Sequence, residues 1–489
     1  WCFKAILVGL DGNRSMKVEP FLAPGLAWAL VVLFSVLWIA LGVAWGRKGK
    51  SDADEYMLAG RNIGLALSTA TLMASWVTGN TTLLAPEFGY KTGLWGMFSY
   101  ALAGLGLILF APLALRIKQL MPNGRTSGDF IRLRYGRLAW WVFMVITAIY
   151  TLGFLMTQAM GAGILLRSLS GIDYHVGMIV VIGVAMLYTL YGGMRAVIGT
   201  DFIQSVLIMV LLAVVAVLAF RQFPAPAVHA RLINSHADHL NLLLPAGLLI
   251  AWNSALFSMG EVFHNNIWWS RVFASRRSVV MTSFVLGGLA WMSVPIVTGS
   301  IGLVALARGL EFPQVNMVFP VMAADLLGVG GAALVFVVVF ASLTSTLDSL
   351  LASTADLVAE DIYFRLLRPQ ASDAQLKQAA RVTVVGLAVV TLLLSWPRLD
   401  SLASVLFFTG ALVASTVWPV ACGLYWTHAN RNAAIVAMVL GSVVGLLAYV
   451  LIAPYCAAVF STAVSALVMV VGSVQWPERF QWSALKEAP

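Results

Sequence analysis

The chain is a succession of apolar runs, each about as long as the roughly 20 residues a helix needs to cross the hydrocarbon core of a bilayer. Inside that core a backbone must satisfy its own hydrogen bonds, which only helices and closed barrels do. The runs are continuous and lack the strict alternation of barrel strands, so an all-α membrane protein is expected. Thirteen spans are predicted, near 21–46, 64–88, 93–115, 138–166, 174–192, 197–220, 243–268, 279–307, 317–358, 380–396, 400–426, 431–453 and 455–474. The ninth is long enough to include a lead-in before the membrane. Composition agrees: 60% of residues are hydrophobic, 10% are charged, and the mean hydropathy is +0.89, which no soluble domain of ordinary make-up reaches.

The net charge of +9 would suit a nucleic-acid partner, but the basic residues sit in short loops between spans, where they set orientation instead. On the thirteen-span reading, 21 of the 30 Lys and Arg, Arg271 among them, fall on one side. That bias predicts an N-terminus outside and a C-terminus in the cytoplasm of a plasma (inner) membrane protein, with membrane lipid as its surroundings and no nucleic acid as a partner. Cys2, Cys422 and Cys456 show no metal-type spacing and read as packing residues. The chain begins with Trp1, so Met16 is a candidate start residue, and 1–20 reads as an extracytoplasmic tail. The longest outer loop, about 221–242, carries His229, His236 and His239 and is expected to be solvated rather than metal-binding. About 14 residues follow the last span, and 475–489 reads as a cytoplasmic tail with no appended domain.

Ionisable and polar residues at membrane depth are costly, so each is a candidate for function. Four places stand out. In the second span, TATLMASWVTGNTTLLAPEFG (69–89) is polar enough to predict an interrupted helix around Ala74 to Thr82. An unwound turn frees carbonyls to coordinate a cation and turns half-helix ends toward a solute. In the ninth span, Ser342, Ser345, Thr346 and Ser349 share one helical face beside Asp348, and hydroxyls are suitable ligands for a hard cation. They could equally bond back to their own helix. In YTLYGGMRAVIGTDFIQ (188–204), Gly192 and Gly193 make a tight turn and Asp201 opens the next span. In SMGEVFHNNIWWSR (258–271), Glu261, His264, Asn265 and Asn266 interrupt an apolar run, as an internal polar network or a solute site would. The chain carries no Walker lysine in a plausible context, which argues against ATP-driven transport, and no catalytic constellation, so no enzyme is expected.

At these residues the chain resembles the sodium:solute symporter family, from about residue 52 to about 425. YTLYGGMRAVIGTDFIQ is similar to the family's Y-T-x-x-G-G-x-x-A-V-x-x-T-D-x-x-Q signature, and STLDSLLASTADLVAEDIY (345–363) to its S-[ST]-x-[DS]-S run ending in D-I-Y. The resemblance implies a LeuT-type fold: two five-helix inverted repeats over roughly 64–220 and 243–426, with one span before and two after, in a membrane domain at 21–474. It also implies a sodium site made of the carbonyls of Ala74, Val77 and Ser342 and the hydroxyls of Ser345 and Thr346. A second, inner cation site, present in some members, would use Asp201, Ser345, Asp348 and Ser349. Asp348 replaces a hydroxyl often found there, which leaves both proton coupling and stronger sodium binding open. Substrate positions would be Trp76, Thr78, Thr81, Glu261 and Asn265. Several stretches, TLL followed by GYKTG, RLRYG, YTLYGG, GEVFHNNIWW and GGLAWMSVP, look like the family's urea symporter branch. The implied activity is cation-coupled uptake of a small polar solute by alternating access, by a monomer or weak oligomer. A passive channel or a transporter-like solute sensor is the reading from another class.

Overall fold

The computed structural model describes residues 21–47, 53–312, 315–397 and 402–487. The tail at 1–20, with the start read at Met16, and Cys2 lie outside them. Regular structure among the described residues is helical, apart from one isolated bridge between Ile63 and Ser275. In chain order the principal helices are α1 Pro24–Gly46, α2 Leu65–Trp76, α3 Gly79–Thr92, α4 Leu94–Leu120, α5 Ser127–Ser170, α6 Tyr174–Gln222, α7 Pro245–His264, α8 Asn266–Ala274, α9 Val280–Ala307, α10 Val318–Leu327, α11 Val329–Leu367, α12 Asp373–Ser395, α13 Leu402–Tyr425, α14 Arg431–Leu451 and α15 Pro454–Gln475.

Eleven of these are long and apolar enough to cross a bilayer. The predicted number of passes, thirteen, follows once two features are resolved. The first is α6, 49 residues long, which as a straight rod would reach about 75 Å against a core of about 30 Å. It is broken at Gly193, where φ is 56° and ψ is −148°. Tyr188 and Gln204 would stand about 24 Å apart on a straight helix, yet both touch Thr344. The Tyr188 hydroxyl lies 3.2 Å from its carbonyl, and the Gln204 amide donates to its hydroxyl (3.0 Å). The chain therefore turns back at the glycine pair, and α6 is two passes. The second is the pair α2 and α3, each too short to span alone, which together form one interrupted pass.

The lead-in expected before the ninth span is α10, joined to α11 by Gly328 at φ 60°. α11 is the axis of the bundle, with 94% of its apolar window buried, against 22% for α1 and 28% for α12 at the periphery. Its last turns, Val358–Leu367, widen to π-helix. One expectation is corrected. The stretch 221–242, read as the longest outer loop, contains a helix at Ala225–His236, which Pro224 and Pro226 start. His236 and His239 lie ring to ring, while the His239 ring meets the Lys91 carbonyl. Among the described residues no group of three or more His, Cys, Asp or Glu is placed to hold a metal.

One end of the bundle is closed by ions. Asp54 pairs with Arg61 (2.8 Å) and Arg125 (3.1 Å), and Arg125 also pairs with Glu360 at the end of α11 (3.0 Å). Arg365 bridges Asp129 and Glu360, and the Thr126 hydroxyl donates to Asp361 (2.6 Å). Burial pushes the Asp54 carboxyl up, but the Arg61 and Arg125 guanidiniums outweigh it and hold it below the usual carboxylate range. Burial likewise opposes the charge on Arg125, and Glu360, Asp54 and Asp129 more than compensate. On the same face the C-terminal segment packs back, with Arg134 over Phe480 (4.3 Å) and Arg116 over Trp482 (5.2 Å).

Candidate functional site

The interruption predicted in the second span falls at Val77 and Thr78. Both leave the helical region, Val77 at φ −80°, ψ 88° and Thr78 at φ −89°, ψ 168°. Sequence explains why this break is stable. Thr78 caps α3 through its hydroxyl, which accepts from the Thr81 N–H (3.1 Å), and Thr81 answers by accepting from the Thr78 N–H (3.2 Å). In a continuous helix the Thr78 N–H would be on the Ala74 carbonyl and the Thr81 N–H on the Val77 carbonyl. Both donors are diverted, so both carbonyls are released from the ladder.

α11 meets this break. The Ser345 hydroxyl donates to the Ala74 carbonyl (3.0 Å) and reaches the Ser342 carbonyl (3.1 Å). The Thr346 hydroxyl lies 3.1 Å from the Ser342 carbonyl and 3.4 Å from that of Ser75. All these side chains are fully buried. Four of the five groups expected around a sodium ion are thus joined in sequence, Ala74 to Ser345, Ser345 to Ser342 and Ser342 to Thr346, with Val77 one turn on from Ala74. The set is neutral and all oxygen, which is the donor chemistry that hard cations take.

Deeper along the same helices lies a feature that the sequence reading missed. Arg271, counted among the loop cations, is fully buried on α8. The reason is a second interruption: α7 ends at His264, Asn265 stands at φ −71°, ψ 131°, and α8 resumes at Asn266, carrying Arg271 inward. Its Nε donates to Thr71 (3.2 Å), and one terminal nitrogen reaches Ser349 (2.7 Å), Ser75 (2.8 Å) and the Asp201 carboxylate (3.4 Å). Thr71 also donates to Asp201 (2.6 Å). Asp348 stands to one side and accepts from the Tyr188 hydroxyl (2.6 Å). Of the four residues proposed for a second cation site, Asp201 and Ser349 are therefore joined through Arg271, Ser345 faces Ala74, and Asp348 faces Tyr188. Removing one partner of a buried ion pair generally costs about 3–5 kcal/mol.

Beyond the break, on the side of α3, a cavity is lined by Trp76, Thr78, Asn80, Thr81, Tyr100 and Trp291, with Phe154, Phe257 and Phe407 closing its apolar part. Three of the five predicted substrate positions are on its wall. Glu261 and Asn265 are not: the Glu261 carboxylate is taken by the Trp268 indole (2.7 Å) and the Asn265 amide (3.1 Å), and Trp268 stacks edge-on against Trp76 between them and the cavity. Asn80 was not foreseen, though it sits in the polar stretch that revealed the break. Its amide nitrogen donates to Thr157 (3.1 Å), while its Oδ1 and the Trp76 Nε1 have no partner among the described residues. The wall also carries the hydroxyl of Ser254. None of the lining residues is charged.

Two interrupted helices beside a central serine- and threonine-rich helix define a helical membrane protein of the LeuT-type inverted-repeat fold. The chain belongs to the sodium:solute symporter family, whose model matches residues 56–441. It is 26% identical over 481 residues to the urea-proton symporter DUR3 of Oryza sativa subsp. japonica, covering 89% of this chain and 66% of that one. It is 25% identical over 417 residues to the high-affinity proline transporter PutP of Bacillus subtilis, covering 81% and 86%. The chain spans about two thirds of the length of the urea-carrier relatives it matches. Among solved structures, a substrate-bound, outward-open Na+-coupled sialic acid symporter superposes with a TM-score of 0.77 at 15% identity, over 93% of this chain and 99% of that one. MhsT with bound L-phenylalanine gives 0.55 at 16% identity, over 84% and 97%.

Proposed function

We propose that the chain is a cation-coupled symporter that takes up a small, uncharged polar solute by alternating access, with sodium as the coupling ion. The observation that carries this reading is the meeting of the Ala74 carbonyl with the Ser345 hydroxyl at the interruption of α2. An ion held there would fix the break, and the break forms the wall of the cavity through Trp76 and Thr78. Ion and solute binding are thereby linked, and each raises affinity for the other. A neutral ligand set favours sodium over a proton, since none of its groups titrates near neutral pH.

The uncharged cavity wall argues for a neutral solute. A carboxylate would need a countercharge or free N–H groups at the start of α3, and two of those N–H groups are already taken, Gly79 by Gln158 (3.0 Å) and Thr81 by Thr78. A donor-rich amide such as urea suits a wall carrying the amide and hydroxyl oxygens of Asn80, Thr78, Thr81 and Ser254. The rice relative, named as a urea-proton symporter, lends this support. The ion-closed face is the cytoplasmic one, in line with the loop charges, and the cavity would then be reached from outside. The repeats would lie near 64–220 and 243–426, in a plasma membrane protein with its N-terminus outside.

The test is uptake of labelled urea into proteoliposomes holding the full chain. Accumulation is expected with an inward sodium gradient and should collapse when sodium is replaced by potassium. Uptake indifferent to any gradient, at rates far above carrier turnover, would identify a channel. Solute binding without accumulation would identify a sensor.

A further inference from the structure

We infer that Glu261 is a positioning residue for the solute cavity: from outside the cavity it holds the second helix interruption against the first, through the Trp268 indole. The inference rests on the symport reading for the identity of the solute, but not for the geometry. Glu261 is fully buried, and among the described residues no Lys, Arg or His pairs with it. A buried carboxyl without a countercharge is costly unless hydrogen-bond partners surround it. Two N–H donors do so, and both come from the interruption. The Asn265 amide donates to one oxygen (3.1 Å) and the Trp268 indole to the other (2.7 Å). The other end of the Asn265 side chain accepts from the Ile267 N–H (3.0 Å) and so caps α8. The last turn of α7 and the first turn of α8 are thereby pinned on one carboxyl group.

The pin reaches the cavity through aromatic rings. Trp268 sets its edge against Trp76, with centroids 5.3 Å apart and planes at 89°. Trp76 ends α2, and its carbonyl accepts from the Trp291 indole of α9 (2.5 Å). Trp291 stacks in turn on Tyr100 of α4, at 6.2 Å. Trp76, Trp291 and Tyr100 are on the cavity wall, whereas Glu261 and Trp268 are not. Side chains in a close-packed interior pass a displacement on to their neighbours. Glu261→Gln would start one: the single amide oxygen can serve Asn265 or Trp268 but not both, and the new NH2 group then faces the other donor.

Equilibrium binding of labelled urea to the full chain in nanodiscs, at saturating sodium, tests the inference as a double-mutant cycle of Glu261→Gln and Trp268→Phe. Each single variant should weaken binding about tenfold, the order of one buried hydrogen bond lost with its partner left unpaired. Because Glu261 acts through Trp268, the double variant should bind about as weakly as the weaker single one. Effects that multiply, to about a hundredfold, would mean that Glu261 meets the solute by another route and overturn the inference. A folded Glu261→Gln protein with a lowered melting temperature but wild-type urea affinity would show a structural role alone and overturn it too. If Glu261→Gln does not fold, Trp268→Phe decides, and wild-type affinity there ends the inference. If wild type binds no urea, the solute reading above fails, and near-ultraviolet circular dichroism of the packed indoles decides instead. Glu261→Gln should then lose the band that Trp268→Phe loses, and a wild-type spectrum would overturn the positioning role.

Discussion

The Ser345 hydroxyl donates to the Ala74 carbonyl over 3.0 Å, tying the centre of α11 to the last turn of α2 at the point where α2 stops. The bond exists because the Thr78 N–H, which a continuous helix would place on that carbonyl, turns to Trp76 and Thr81. Local capping chemistry thus creates a long-range contact, and the contact brings the oxygens of two distant segments to one point.

The first consequence is quantitative. Thr346→Ala removes one hydroxyl from the oxygen set while leaving the backbone alone. Hydrogen bonds and ligand contacts to a charged group are worth about 1.5–3 kcal/mol. The sodium concentration for half-maximal uptake should rise roughly 10- to 100-fold. Unchanged sodium dependence in a folded variant would remove Thr346 from the site.

Asn80 should matter to solute rather than to ion. Asn80 is on the cavity wall, and its Oδ1 has no partner among the described residues. Asn80→Ala should raise the apparent KM for urea about tenfold, the order of one lost hydrogen bond with its buried partner left unpaired. Sodium affinity measured without solute should hold. An unaltered KM would place the solute elsewhere.

Gly193 permits the turn inside α6. Its φ of 56° with ψ of −148° lies where side chains are not tolerated, and a Cβ there would come within 2.3 Å of the Tyr56 carbonyl oxygen. Gly193→Ala should cost at least ~1–3 kcal/mol. The melting temperature in detergent should fall by several degrees or the protein should fail to insert. Wild-type stability would show that α6 does not need this bend.

The ion pairs at the closed face carry a pH signature. The folded Asp54 carboxyl lies below its ordinary value, so its contribution is complete above the unfolded value near 4 and fades as pH falls through the lower folded value. Asp54→Asn should therefore lower stability at pH 7, and the gap from wild type should narrow as the pH falls below about 4. Since Asp54 is 39% exposed, the effect should stay under ~1 kcal/mol. A gap that widens toward acid would reverse this assignment.

Much of this arrangement was written plainly in the residues. The polar run WVTGNTT marks the α2 interruption because no intact membrane helix gains from so many small hydroxyls, and the glycine pair at 192–193 marks the turn in α6. The recurrence of Ser342, Ser345, Thr346 and Ser349 set their common face, and α11 presents it inward. Arg271 escaped because loop charges are assigned by distance from apolar runs, and it lies six positions before Arg277 beyond a helix hidden by Asn265. A balance of charge would have found it. Asp201, Asp348 and Asp356 lie within spans that contain no basic residue near them, and buried carboxylates in such number require a cation drawn from somewhere. Glu261 was read as a substrate position from the family resemblance, which could not show that the Trp268 indole, one break further on, already donates to it.

A sodium ion taken from solution does osmotic work each time it runs down its gradient, whereas a guanidinium fixed to α8 does none. The positive charge beside Asp201 therefore adds nothing to the driving force, which has to come entirely from whatever ion crosses with the solute.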